Sequence, residues 1–344
     1  MNETNATVAQ KGVPLDLELL QALTQAFGPP GYEGPIREVI RKHVEPHAEE
    51  MWVDPLGSLV VHRPGVGTDQ KKLVLAAHID EIGVMVTHVD EQGFLRFARM
   101  GGVFPQNCVG NRVRFADGTR GVIYVERRED TSKPPKLEHM YIDVGATGPD
   151  DAPVNVGAPA VFERSLEIQG RRVIGKALDD RIGCYVLIEV LRRLDVSPYD
   201  LYFLFSVQEE VTLSGARTSA YKIDPDLALA VDVTATGDTP KALPMAVALG
   251  KGPAVKVQDA GMIAHPQVRG LLVEAARRAE IPYQMEILER GSTDAAAMQL
   301  TRAGVPSGGL SIPCRYVHSP SEMVDRDDVA QAVVLLLSAL APEA

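Results

Sequence analysis

Cysteine is scarce: only Cys108, Cys184 and Cys314 occur in 344 residues, far apart and odd in number. That spacing supports neither a disulfide framework nor a CxxC zinc site, and a reducing, cytoplasmic setting is the simplest expectation. Long apolar runs are missing too. No stretch reaches the roughly 18 apolar residues of a membrane span, so no membrane partner is expected. The opening MNETNATVAQKGVP is polar and lacks the apolar segment of a signal peptide, and residues 1–14 read as a flexible tail. Positive charge is in deficit, with 35 Lys and Arg against 46 Asp and Glu and a formal net charge of -11. A surface of that sign does not neutralise phosphates, which argues against a nucleic-acid partner. Aromatic residues make up only 5%, few for a protein that stacks sugars.

What remains is ordinary globular material: 45% hydrophobic and 24% charged residues, with length enough for a sizeable core and more than one domain. LDLELLQALTQAFG, from Leu15, has helical spacing and stops at Gly28. The turn-rich GPPGYEGP follows, and then a second helix that opens with Pro35. KKLVLAAH, ending at His78, reads as a buried strand. From about Ile82 to Arg164 the pattern changes to short β-like stretches punctuated by Gly, Pro and Asp, as in a small barrel or sandwich. After Gly175, helices and strands alternate to the end of the chain. The predicted class is α/β. A mostly parallel sheet covered by helices is built from residues 15–81 and 165–344, with an inserted all-β, barrel-like domain at 82–164.

Polar residues gather where the predicted strands end. His78 and Asp80 follow KKLVLAA, Glu209 and Glu210 follow LYFLFSVQ, Asp232 sits near the end of ALAVDV, and His318 follows GGLSIPCRYV. Open α/β sheets bind ligands at the carboxyl ends of their strands, so these groups can converge on one crevice. Imidazole and carboxylate donors suit a pair of divalent ions, with zinc, cobalt and manganese all compatible. Two such ions polarise a carbonyl and acidify a water, and one carboxylate must stay off them to carry the proton. The adjacent Glu209 and Glu210 can divide those tasks. Taken singly, each piece has a plainer reading. HxD is a common turn, a Glu pair is usually a solvated helix start, and Asp179-Asp180 can be a helix cap. The weight lies in their joint order.

AAHIDEIGVMV (from Ala76), GKALDDRIGC (from Gly175), SVQEEVTLSGA (from Ser206), VDVT (from Val231), GSTDA (from Gly291) and RYVHSPSE (from Arg315), with the early PPGYEGPIRE, resemble the motifs of the M42 metallo-aminopeptidases, the tetrahedral or glutamyl aminopeptidase-like group. The resemblance spans nearly the whole chain after the tail. It implies two divalent metal ions per subunit, zinc foremost, held by His78, Asp179, Glu210, Asp232 and His318. Asp179 would bridge, joined by His78 and Asp232 at one ion and by Glu210 and His318 at the other. Glu209 would be the general base, and Asp80 the carboxylate that orients His78. The implied activity is removal of N-terminal residues from peptides with a free amine. The implied assembly is a homo-oligomer of dimers, up to a tetrahedral dodecamer, with the inserted β domain as a dimer contact.

Two positions depart from the family pattern: Thr212 where Gly is usual after EEV, and Ser292 where GGTDA is common. They bear on loop shape and substrate preference rather than on the ligand set. His265 and the GSTDA loop with Asp294 are further expected neighbours of the substrate. Alternatives that the motifs leave open are a deacylase or carboxypeptidase on a similar scaffold, a polysaccharide hydrolase using two carboxylates, and a non-catalytic peptide-binding assembly.

Overall fold

The computed structural model describes residues 14–67, 70–127 and 133–342. The expected tail, apart from Pro14, lies outside them. Helix α1 (Leu17–Gln25) is capped by Asp16, whose side chain accepts from the Leu19 N–H, and it buries Leu19, Leu20 and Leu23. Helix α2 (Gly34–Val44) buries Ile36, Ile40 and Val44, a four-residue spacing that marks one face. Strands β1 (Glu50–Val53), β2 (Leu59–Arg63) and β3 (Lys72–His78) follow.

Next come β4 (Gly83–Val89), β5 (Leu95–Met100), β6 (Arg112–Phe115), β7 (Arg120–Val125), β8 (Met140–Asp143) and β9 (Pro159–Phe162). They close into an antiparallel barrel in the order β4-β5-β8-β7-β6-β9. Its interior holds Val84, Val86, Leu95, Phe115, Ile123 and Ile142 among others. On β7 the alternation is strict: Gly121 and Ile123 point in, while Val122 and Tyr124 point out.

The chain then returns to the large sheet. Its elements are β10 (Glu167–Gln169), β11 (Arg172–Gly175), α3 (Leu178–Arg193), β12 (Asp200–Ser206), α4 (Glu209–Thr212), α5 (Ser214–Ile223) and β13 (Leu227–Thr234). After them come β14 (Ala254–Gln258), α6 (Pro266–Arg278), β15 (Gln284–Ile287), α7 (Asp294–Met298), β16 (Ser307–Arg315), β17 (Glu322–Asp325) and α8 (Arg326–Leu340). The sheet has 11 strands. Its centre, β12-β3-β13-β16, is parallel, and β1-β2 and β17-β11-β10 extend it with antiparallel pairs.

Both faces of the centre are covered, which is why its strands read as continuous apolar runs. On β3, Leu73, Leu75 and Ala77 enter one core with α1, α3 and α8, while Val74 and Ala76 enter a second core with α5 and α7. Burying side chains such as Phe203 and Phe205 contributes roughly 1.5–3 kcal/mol each. This is the expected architecture of a helix-covered α/β sheet plus a barrel. Of the segment TDAAAMQLTRAG, only Asp294–Met298 is helical. Among the described residues no helix is long and apolar enough to cross a membrane.

Candidate metal centre

Parallel pairing in register carries the polar residues to one level. His78 ends β3 opposite Ser206 of β12, and Asp232 of β13 lies opposite Ser311 of β16. Three residues past β16, His318 closes the far side. Between them, α3 begins with non-helical geometry at Asp179 and Asp180, whose connecting peptide is cis. The two aspartates divide their tasks. Asp180 accepts from the Gly183 N–H at 3.0 Å, as a helix cap would, and from the His78 N–H at 3.3 Å. Asp179 faces the cleft.

There its two oxygens point to different histidines. Oδ1 is 3.0 Å from His78 Nε2, and Oδ2 is 3.2 Å from His318 Nε2. Glu210 Oε2 lies 3.3 Å from His318 Nε2, and Asp232 Oδ1 lies 4.0 Å from His78 Nε2. Glu209 Oε2 is also 4.0 Å from His78 Nε2. All five sequence-predicted metal ligands and Glu209 therefore line a single cleft of about 530 Å³.

Asp80 lies beneath it, fully buried. Its carboxylate accepts from the backbone N–H groups of Glu209 (3.0 Å) and Glu210 (3.1 Å). His78 Nδ1 lies 3.1 Å from the Asp80 backbone oxygen and 3.5 Å from its Oδ1. Donation from Nδ1 to that carbonyl leaves the Nε2 lone pair facing the cleft.

The electrostatics are those of a cation site. Burial raises the carboxyls of Asp232 and Glu209 well above the usual range, and like-charged neighbours add to it while His78 opposes. Burial likewise pushes Glu210 to about 7, with Asp179 and Asp80 adding and His318 opposing. Burial disfavours charge on the histidines. Asp179 and Glu210 outweigh it at His318, which reaches about 10, and Glu209, Asp179 and Asp80 outweigh it at His78. Concentrated buried carboxylates of this kind need cations to balance them. Among the described residues Glu210 Oε1 is buried with no hydrogen-bond partner, and donor atoms of His78, Asp179 and Glu210 lie within 4.8 Å of one another. His78, Asp180 and Asp232 form a second such group. The residues present therefore fit divalent metal ions, although both Asp180 oxygens are already engaged by N–H donors.

Several contributors escaped the sequence reading. Glu322, on β17, accepts from the Asp179 N–H at 2.9 Å and the His318 N–H at 3.0 Å, tying the two sides of the site together. The barrel supplies Gly102 and Phe104 to the cleft wall and Asn107, whose side chain donates to the His318 carbonyl at 3.0 Å. A Cβ on Gly102 would lie 2.1 Å from His318 Nδ1, so glycine is what lets the barrel backbone approach so closely. The dipeptide Gly101-Gly102 between apolar residues is the one sequence signal that pointed there. Gly291 and Ser292 of the GSTDA loop line the cleft, but Asp294 is buried behind it, bonded to Ser206. His265 is exposed, caps α6 and is not part of the cleft lining.

A family model described as M42 glutamyl aminopeptidase matches residues 57–335. The lysyl aminopeptidase of Pyrococcus furiosus is 36% identical over 349 residues, covering 95% of this chain and 98% of that protein. An aminopeptidase of known structure from Desulfurococcus kamchatkensis superposes with a TM-score of 0.90 at 39% identity, over 94% of this chain and 93% of that one. The TET1 peptidase of Pyrococcus horikoshii gives 0.83 at 31% identity over 94% and 98%, and is described as assembling into a tetrahedron or a large octahedral shell.

Proposed function

This chain belongs to the M42 glutamyl aminopeptidase family, whose members hydrolyse peptides, and on that premise we propose that it is a dinuclear metal-dependent aminopeptidase. One observation carries the two-ion reading: the oxygens of Asp179 are divided between His78 and His318. In that reading His78, Asp179 and Asp232 hold one ion, and Asp179, Glu210 and His318 hold the other. Zinc is the first candidate, and cobalt or manganese suits the same donors. The ions supply Lewis-acid polarisation of the scissile carbonyl and acidify the attacking water.

The protein's own residues do the rest. Glu209 projects into the cleft from a turn whose N–H groups are fixed by Asp80, so its carboxylate has a defined direction. It accepts the proton of the attacking water and returns it to the leaving nitrogen. The acidic end of the cleft matches the cationic free α-amine of a peptide, while Val233, Ala235, Leu288 and Val317 offer apolar surface for side chains.

Residues 15–81 and 165–344 form the catalytic domain in this reading, and 82–164 an insert used in assembly. Val122 and Tyr124, exposed side by side on the outer face of β7, are suited to a contact between subunits. A homo-oligomer built from dimers, up to a closed dodecamer, would admit short or unfolded peptides and exclude folded proteins. A cytoplasmic setting fits three buried, unpaired thiols. The test of function is hydrolysis of aminoacyl anilides and short peptides against N-acetylated counterparts, after chelation and metal restoration. Cleavage confined to blocked substrates would favour a deacylase, and no cleavage a non-catalytic binder.

A further inference from the structure

The turn PPGYEGP supplies no metal ligand, yet it lies directly under the site. Tyr32 N–H donates to the Pro29 carbonyl at 2.9 Å, and Gly31 has φ of +83°, the signature of a tight turn with proline second and glycine third. Pro29, Pro30 and Glu33 are buried. The Gly28 carbonyl accepts from the Glu81 N–H at 3.0 Å, which fastens this turn to the segment just after Asp80.

Glu33 is only 4% exposed. Among the described ion pairs none involves it, and its partners are backbone N–H groups. Oε1 accepts from Gly31 at 2.7 Å, and the N–H of Gln208 lies close enough to stabilise the charged carboxylate. Asp80 takes the next two N–H groups, those of Glu209 and Glu210. Two buried carboxylates from distant parts of the chain thus face three consecutive N–H groups of one turn, Asp80 bonded to two of them and Glu33 beside the first. That turn starts in a costly conformation, because Gln208 has φ of +57° and a non-glycine residue there costs about 1 kcal/mol. It reverses the chain at the end of β12 and sends the Glu209 side chain into the cleft. Burying a carboxylate without a cation is unfavourable, and burial lifts Glu33 to about 7, with the Gly31 N–H opposing and Asp80 adding.

We propose that Glu33 is a positioning residue for the reaction: by holding the Gln208 N–H it fixes the turn that aims the Glu209 carboxylate at the attacking water. The proposal rests on Glu209 as the proton acceptor, and its test separates the two. Glu33→Ala, Glu33→Gln, Glu209→Gln and the two double variants are assayed at saturating metal on an anilide that the wild type cleaves. Misaiming a reacting group by about 1 Å can cost about 100-fold. Glu33→Ala should therefore lower kcat by about 10- to 100-fold with KM within about twofold. Glu33→Gln keeps an acceptor oxygen and should recover much of that loss. With Glu209→Gln already present, either change at Glu33 should alter kcat by less than about twofold, because there is no base left to aim. Wild-type kcat in Glu33→Ala, or the same loss with Glu209 absent as with it present, would overturn the proposal. If Glu33→Ala does not fold, Glu33→Met, similar in volume and lacking an acceptor oxygen, carries the same comparison. Wild-type turnover by Glu209→Gln would instead overturn the base assignment, and this proposal with it.

Discussion

If Asp179 holds metal and Glu209 carries the proton, as proposed, substitutions should separate the two tasks. Glu209→Gln keeps the shape of the cleft and every proposed ligand. Metal content by elemental analysis should stay near two ions per subunit while kcat falls by about 10²–10⁴-fold, the usual worth of a positioned base. Asp179→Ala removes the carboxylate between the two histidines, so metal and activity should be lost together. At Gly102 the constraint is space. A methyl group there would overlap the His318 ring, and Gly102→Ala should lower kcat/KM at least about tenfold. Its thermal midpoint should stay near that of the wild type, because the clash is with a side chain at the edge of the cleft. A Gly102→Ala enzyme of normal activity would show that the barrel wall does not constrain His318.

The loops after the parallel strands carry the site, and a bidentate ion pair braces one of them. Arg315, the last residue of β16, donates from Nε and Nη2 to Asp238 at 3.0 and 2.7 Å, three residues before His318. Those hydrogen bonds hold the Asp238 carboxyl well below its ordinary value of 3.8. A carboxyl depressed by folding contributes stability that is fully present above its unfolded pKa and lost as pH falls through the folded one. Asp238→Asn should therefore destabilise by about 1–2 kcal/mol at pH 7. The gap to the wild type should narrow below about pH 4, in urea melts run across pH. A gap that persists unchanged into strong acid would remove this role. At this scale much was legible beforehand: apolar runs such as KLVLAA gave the buried strands, and polar residues at their ends gave His78, Asp232 and His318. Glu33 and Glu322 stand within PPGYEGPIRE and RYVHSPSE, but their roles and that of Asn107 were not legible, because each also reaches a backbone group distant in sequence: Gln208, Asp179 and His318. The resemblance already singled out Asp179; the task of Asp180, accepting from the His78 and Gly183 N–H groups, emerged only from the structure.

The barrel is part of the candidate cleft as well as a candidate contact between subunits, since Gly102 and Phe104 line one wall. If the outer face of β7 joins two copies, charges at Val122 and Tyr124 should shift the particle to a smaller mass in light scattering. Residual cleavage by the smaller species would show that each subunit carries a complete site, as the single-chain cleft implies. An unchanged mass would place the contact elsewhere. The resemblance to shell-forming peptidases makes this mass worth measuring over a range of concentrations. The central claim is tested most directly by chelating the protein and then restoring Zn²⁺, Co²⁺ or Mn²⁺ before assaying aminoacyl anilides with free and with acetylated amines. Metal-restored cleavage of the free-amine substrates alone is the predicted result, and cleavage that survives chelation, or that favours the acetylated substrates, would contradict it.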